Sequence, residues 1–190
     1  LFDIAKAKSE IIDNIIENGS IVLNADDKFY NYFKSKAQNR NLKIISFSRK
    51  KKSNIQLSKI KSFKNKSIIK ININGRSKNF IIKRNLEFYL ENILASIAVI
   101  SNYLDLDNIN EKFFFNYNLP QGRGDHKYIK IKKKKIHLID ESYNSNPLSL
   151  KFALNNFSKL NSQSKRKIIL LGDMLELGKF SKKLHLEAAK

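Results

Sequence analysis

The 190-residue chain contains no cysteine. A disulfide framework and a thiolate zinc site are both excluded. No apolar run approaches the roughly 18 residues that a membrane span needs. The opening LFDIAKAK lacks a basic segment followed by an apolar one, so no signal peptide is expected and a cytoplasmic setting fits. There is no initiator methionine, and the chain stops at Lys190 inside a helical pattern, so it reads as an internal piece of a longer protein. No G-x-x-x-x-G-K-[ST] phosphate loop occurs. Acidic residues are few, 17 Asp and Glu against 37 Lys and Arg, for a net charge of +20. Such an excess suggests a polyanion partner such as nucleic acid. The lysines, however, are spread through a chain equally heavy in isoleucine and asparagine, and the basic runs at 49–52 and 132–135 fall where turns are expected. A solvated basic surface is the expectation, with no nucleic-acid partner.

What is present supports a folded α/β protein. Hydrophobic residues make up 42% of the chain, enough for a real core. Its length suits one large domain or two small ones. The most informative stretch is Ile139 to Ser149, IDESYNSNPLS. An alternating run, KKIHLI, leads into Asp140 and Glu141, then a polar loop, then a proline opening an apolar-periodic segment. This predicts strand, loop, helix, with Asn146 as N-cap and Pro147 at the first helical position, where its missing N–H costs nothing. In open α/β sheets ligands sit beyond the carboxyl ends of strands, and helix N-termini there favour anions. The loop is a candidate nucleotide or substrate edge; an ordinary solvated βα loop is the alternative.

Taken in order, residues 4–18 predict a helix with Ile4, Ala7, Ile11, Ile12 and Ile15 inward and Gly19 as its stop. Lys8 lies inside that apolar stripe. A lysine held among apolar groups has its ammonium disfavoured, so more of it is a neutral, nucleophilic amine. Such an amine can take up carbon dioxide as a carbamate, an oxygen ligand suited to magnesium; the alternative is a snorkelling lysine. A short strand at 20–23 precedes a helix at about 27–38, with Asp26 and Asp27 as its acidic cap. Strands follow at 42–47, 55–63, 67–73 and 79–82, with Asn74-Gly75 as a hairpin turn. The longest helical pattern runs over 86–104, and another over 106–117 carries Phe113, Phe114 and Phe115 as core or interface packing. Leu119-Pro120 breaks it, and the domain boundary is placed there, giving domains 1–118 and 119–190. Gln121-Gly122-Arg123-Gly124 then offers a glycine-flanked guanidinium suited to phosphate or ribose. A hairpin at 126–131 and 134–139 leads into the IDESYNSNP loop. A helix at 147–160, a strand at 167–171 apolar on both faces, and a last helix carrying Ser181 and His185 complete the chain. The strand–helix alternation in this part predicts a doubly wound α/β arrangement.

Four stretches, in order, carry a resemblance: AKAKSEI, LPQGRG, IDESYNSNP, and LLGDMLELG followed by His185. They are similar to motifs of the Mur ligases, in the branch that adds D-alanyl-D-alanine to a peptidoglycan precursor. The resemblance implies part of a central ATP-binding α/β domain followed by part of a Rossmann-like doubly wound domain. It implies ATP and Mg2+ as cofactors, and UDP-N-acetylmuramoyl-tripeptide and D-alanyl-D-alanine as partners, in a monomeric enzyme. The tripeptide carboxylate would attack the γ-phosphate to give an acyl phosphate, which the dipeptide amine displaces. Lys8 matches the family's carbamylated, magnesium-holding lysine. Asn92, opening N-I-L-A-S-I-A, matches an adenine contact, although Phe88 stands where the family usually has histidine. Arg123 matches an ATP-binding arginine. Asp140 or Glu141 would bind ribose, and Tyr143, Asn144 and Asn146 would line the substrate side. Asp173 and Glu176 are further candidates, while His185 is given no acid–base role. The resemblance covers about two-fifths of a full enzyme, and this piece alone is expected to be inactive. Another Mur ligase, a folylpolyglutamate-type ligase (which carries D-G-A-H-N-P in place of this loop) and a basic nucleic-acid module remain as alternatives.

Overall fold

The computed structural model describes residues 1–160 and 166–188. Five strands, β1 (Ser20–Asn24), β2 (Lys43–Ser48), β3 (Ile55–Ser62), β4 (Lys66–Ile73) and β5 (Arg76–Lys83), form one sheet in chain order. β1 and β2 are parallel, β3 joins β2 in parallel over two residue pairs, and β3 to β5 form an antiparallel meander. The period-2 pattern explains why these segments are strands. In β4, Ser67, Ile69, Ile71 and Ile73 are buried while Lys66 and Lys70 are exposed. Asn74 (φ 49°) and Gly75 (φ 91°) turn β4 into β5 with both residues left-handed, as a two-residue hairpin requires.

Helices α1 (Phe2–Asp13), α2 (Tyr30–Asn39) and α3 (Leu90–Ile100) complete this part. α3 packs against β1, β2 and β3 and buries Leu90, Ile93, Leu94, Ile97 and Ala98, the spacing of one helical face. Ile12, Ala37 and Leu42 form a buried cluster with Ile15, Ile21, Phe33 and Ile44 around it. The chain divides into two compact units, Leu1–Tyr117 and Asn118–Lys190. In the second unit, β6 (Asp125–Ile131) and β7 (Lys134–Asp140) form an antiparallel hairpin, followed by α4 (Pro147–Lys159) and α5 (Ser181–Ala188), which touch each other. The α/β class read from the sequence is what the structure has.

Several elements differ from the sequence reading. α1 ends at Asp13, and its buried residues are Ala5, Ser9 and Ile12; Ile4 and Ile11 are 55% and 67% exposed. Small residues let α1 approach α2 closely, and Ser9 fixes the rotation. Its hydroxyl donates to Lys6 O and pairs with Tyr32 Oη, while the Lys36 ammonium reaches Ser9 O, Ser9 Oγ and Asp13 Oδ2. The 86–104 pattern divides into a 3-10 turn over Arg84–Tyr89 and α3. Residues 106–117 form no α-helix. Asp105 and Asn110 side chains accept the N–H groups of Asp107 and Lys112, local bonds that compete with a helix. The Glu111 carbonyl instead accepts from Ile81 N, laying the segment along β5, and Phe114 packs edge-on against Phe80. Residues 167–171 are not a strand: Ile168 to Leu171 are 51% to 91% exposed. A strand apolar on both faces needs parallel neighbours and a cover on each side, and the described residues of the second unit supply neither.

Candidate functional site

The second unit brings two of the sequence-predicted stretches together. Gly122 and Gly124 are left-handed (φ 75° and 71°), and both are buried. Gly122 O accepts from Tyr143 N at 3.0 Å, and Gly124 N donates to Asp140 O at 2.9 Å. These bonds extend the pairing of Asp125 with Asp140 beyond the β6–β7 ladder. A Cβ on Gly122 would lie 3.0 to 3.3 Å from the backbone and Cβ of Tyr143, so only glycine fits both the dihedral and the space. The consequence is that the exposed Arg123 stands over Tyr143, its guanidinium carbon 4.1 Å from the ring centroid. A cation held over an aromatic face in this way has a set direction.

The two carboxylates differ. Asp140 Oδ1 accepts from Ser142 Oγ (2.6 Å) and Ser142 N (3.0 Å). These bonds, with Lys127 adding to them, hold its carboxyl below the usual carboxylate range. Desolvation pushes Glu141 above its usual range, the Asp140 charge adds to this, and the Gly124 N–H opposes it. Because Glu141 is exposed as a residue, solvent screens this effect and it has little weight in stability. Asp140 is thus an ionised acceptor already engaged by Ser142, while Glu141 is the more proton-accepting of the pair. Ser142 was not singled out in the sequence; its place two residues after an aspartate, the spacing of an Asx turn, is the signal for it.

Asn146 has φ −137° and ψ 165°, and its side chain accepts from Leu148 N and Ser149 N. Ser149 Oγ returns the favour by accepting from Asn146 N, completing a capping box with Pro147 at the first helical position. The Asn146 oxygen is therefore committed to the helix, leaving its amide N–H groups for a ligand. Tyr143 and Asn144 are exposed.

In the first unit, Lys8 is exposed on α1. It shares its face with Ile4 and Ile11, which are also exposed, so the apolar burial expected around it is not present in this chain. Asn92 is exposed on α3, and its carbonyl accepts from Ser96 Oγ. Asp26, expected to cap the following helix, instead accepts the N–H groups of Arg49, Lys50 and Lys51 and so closes the loop after β2. Asp27 accepts from Phe29 N, and α2 begins at Tyr30 with no side-chain cap. Of the remaining candidates, Asp173 is 91% exposed at its side chain and 4.0 Å from His185. Glu176 is left-handed (φ 61°). His185 accepts from Met174 N through Nε2, while Nδ1 lies 2.9 Å from the Ser181 carbonyl. That pattern fits a neutral ring with its proton on Nδ1, tying the segment before α5 to the helix.

Comparison with known proteins supplies a context for these residues. A family described as the Mur ligase middle domain matches residues 1–100. The UDP-N-acetylmuramoyl-tripeptide--D-alanyl-D-alanine ligase of Rickettsia prowazekii is 31% identical over 189 residues, covering 98% of this chain and 40% of the relative. The protein of the same name from Buchnera aphidicola subsp. Acyrthosiphon pisum is 27% identical over 201 residues, covering 97% and 39%. Among solved structures, MurF from Acinetobacter baumannii has a TM-score of 0.79 at 23% identity, covering 97% of this chain and 38% of its own. MurF ligase from Thermotoga maritima, solved in complex with ADP, has a TM-score of 0.76 at 20% identity, covering 97% and 40%. The chain thus spans about two-fifths of the length of the relatives it matches.

Proposed function

The chain belongs to the Mur ligase family, and from that premise we propose that it is part of an ATP-dependent ligase joining D-alanyl-D-alanine to UDP-N-acetylmuramoyl-tripeptide. Residues 1–118 are read as part of the central ATP-binding domain and 119–190 as part of a carboxyl-terminal Rossmann-like domain. The observation that supports this reading best is the locked pair of loops in the second unit. Gly122, Arg123 and Gly124 are held against Asp140 to Tyr143 by backbone hydrogen bonds and by the Arg123–Tyr143 contact. A guanidinium and two carboxylates thus come from two loops bonded to each other, the groups that phosphate and ribose recognition uses.

In the proposed reaction the tripeptide carboxylate attacks the γ-phosphate of ATP, forming an acyl phosphate and releasing ADP. The amine of D-alanyl-D-alanine then adds to the acyl carbon, and the tetrahedral intermediate expels phosphate. Arg123 is assigned to the nucleotide phosphates, Asp140 or Glu141 to the ribose hydroxyls, and Asn92 to the adenine. Tyr143, Asn144 and the amide nitrogen of Asn146 are assigned to the substrate. Lys8 is assigned as the carbamate that would offer oxygen to magnesium. The residues of this chain do not by themselves fit a magnesium site. Among the described residues no cluster of three or more metal-ligating side chains occurs, and Lys8 as a free amine supplies no oxygen ligand. A cytoplasmic, monomeric enzyme is part of the same proposal; among the described residues no helix is long and apolar enough to cross a membrane.

The test is phosphate release by the intact protein with ATP, magnesium and UDP-N-acetylmuramoyl-tripeptide, with and without D-alanyl-D-alanine. Dipeptide-dependent release is the expected result. Release driven by a different amino acid or by folate would keep the family and discard the substrate.

A further inference from the structure

We propose that the outer face of the β3–β5 meander is an electrostatic docking surface for an anionic lipid bilayer. None of the three strands, IQLSKIKS, KSIIKINI and RSKNFIIK, contains Asp or Glu. Their register gathers the lysines rather than dispersing them. Lys59 stands directly opposite Lys70, Lys66 opposite Lys83, and Lys61 opposite Ile68. The alternate residues of β4, from Ser67 to Ile73, are buried, which places this lysine set on the outward face.

Like charges directly opposite one another in a ladder are destabilising. Lys59 and Lys70 are such a pair and call for a compensating anion, whereas Lys83, opposite Lys66, donates to the Tyr117 carbonyl at 3.4 Å. Two nearby carboxylates are engaged elsewhere: Glu87 accepts from Ser62 and Ser67 and pairs with Arg84, and Asp107 faces Arg76 at 3.8 Å. Among the described residues Lys59, Lys61, Lys66 and Lys70 have no carboxylate partner.

The chemistry of the face favours a bilayer over nucleic acid. Its cations are lysines, compact point charges, without the forked arginine that reads phosphates and base edges in pairs. Arg76, the arginine of these strands, is turned to Asp107. Ile68 and Ile81 lie opposite each other between the lysines. Phe63, 40% exposed beyond the end of β3, has the Lys61 and Lys66 ammoniums 5.5 and 6.0 Å from its ring centroid. A ring at the rim of a cationic face can enter the lipid interface while the lysines meet headgroups. Three strands of this length present an array about 25 Å long, broad rather than grooved.

The experiment is co-sedimentation of the intact protein with vesicles of phosphatidylcholine alone or mixed with phosphatidylglycerol. The variant is Lys59→Gln/Lys61→Gln/Lys70→Gln, and the control with the same change in net charge is Lys132→Gln/Lys133→Gln/Lys135→Gln at the β6–β7 turn and the start of β7. Binding to the mixed vesicles is expected at about 0.1 M salt and to fade as ionic strength rises. The sheet-face variant should lose roughly a hundredfold in affinity, the turn variant far less. The sheet-face variant should also unfold at the same or a higher denaturant concentration, because a repulsive pair has been removed. Equal losses in both variants, equal binding to neutral vesicles, or tighter salt-dependent binding to duplex RNA than to the mixed vesicles would each overturn the proposal.

Discussion

Gly122 is constrained twice, by a φ of 75° and by the Tyr143 backbone against which it packs. Gly122→Ala should cost about 1–2 kcal/mol in the second unit, measured by chemical denaturation, and should loosen the Arg123–Tyr143 contact. Asn146 shows a side chain with two assignments. Asn146→Ala should cost about 1 kcal/mol of α4, whereas Asn146→Asp keeps the accepting oxygen and removes the amide donor. If the amide binds substrate, the Asp variant keeps its stability and loses substrate affinity; unchanged KM in that variant would limit Asn146 to capping. His126 gives the pH dependence. Its Nδ1 lies 3.0 Å from His137 Nε2 across the β6–β7 hairpin, and burial, then the His137 charge, lowers its pKa from 6.5. A histidine whose folded pKa lies below its unfolded value binds fewer protons when folded, so its contribution is present above pH 6.5 and lost as pH falls toward the folded value. Thermal unfolding should shift down between neutral and mildly acidic pH, and His126→Gln should flatten that shift. An unchanged slope in the variant would place the dependence elsewhere.

At the scale of elements, the carboxylate of Asp26 organises a loop that apolar periodicity could not show. Three consecutive N–H groups, from Arg49, Lys50 and Lys51, point to one side chain. Asp26→Ala should cost about 1–2 kcal/mol, with Asp26→Asn intermediate, read from the denaturation midpoint of the first unit. Hydrogen bonds of this kind mark the limit of what was legible beforehand. The β3–β5 strands, the Asn74-Gly75 turn, the β6–β7 hairpin and the Asn146-Pro147 helix start could be read because local pattern and turn chemistry agree there. α1 could not, because Ala5 and Ser9 are buried for their small size and for the bonds to Tyr32 and Lys36, while its larger apolar residues face outward. The helical pattern over residues 106–117 fails for a related reason: Asp105 and Asn110 spend their side chains on turns. The proximity of Arg123 to Tyr143 is not readable in the sequence, since the two motifs lie apart in the chain and are joined by the backbone bonds from Tyr143 N to Gly122 O and from Gly124 N to Asp140 O.

At the scale of the molecule, Ile168 to Leu171 is an exposed apolar run of the second unit with no partner strand among the described residues. The 190-residue chain on its own should bind a hydrophobic dye there, and Leu170→Lys should reduce that binding; equal dye binding by the variant would locate the apolar surface elsewhere. The chain also has no phosphate loop of the G-x-x-x-x-G-K-[ST] type, so by itself it should neither hydrolyse ATP nor ligate. The proposed grip on the nucleotide can be tested at the paired loops of the second unit. The most direct measurement is ADP affinity of the intact protein and of Arg123→Ala, Tyr143→Ala and the double variant. If Tyr143 acts by directing the Arg123 guanidinium, each single substitution weakens ADP binding and the double variant is no weaker than Arg123→Ala. Fully additive losses would contradict the directing role of Tyr143, and unchanged affinity in Arg123→Ala would contradict the assignment of this loop pair to the nucleotide.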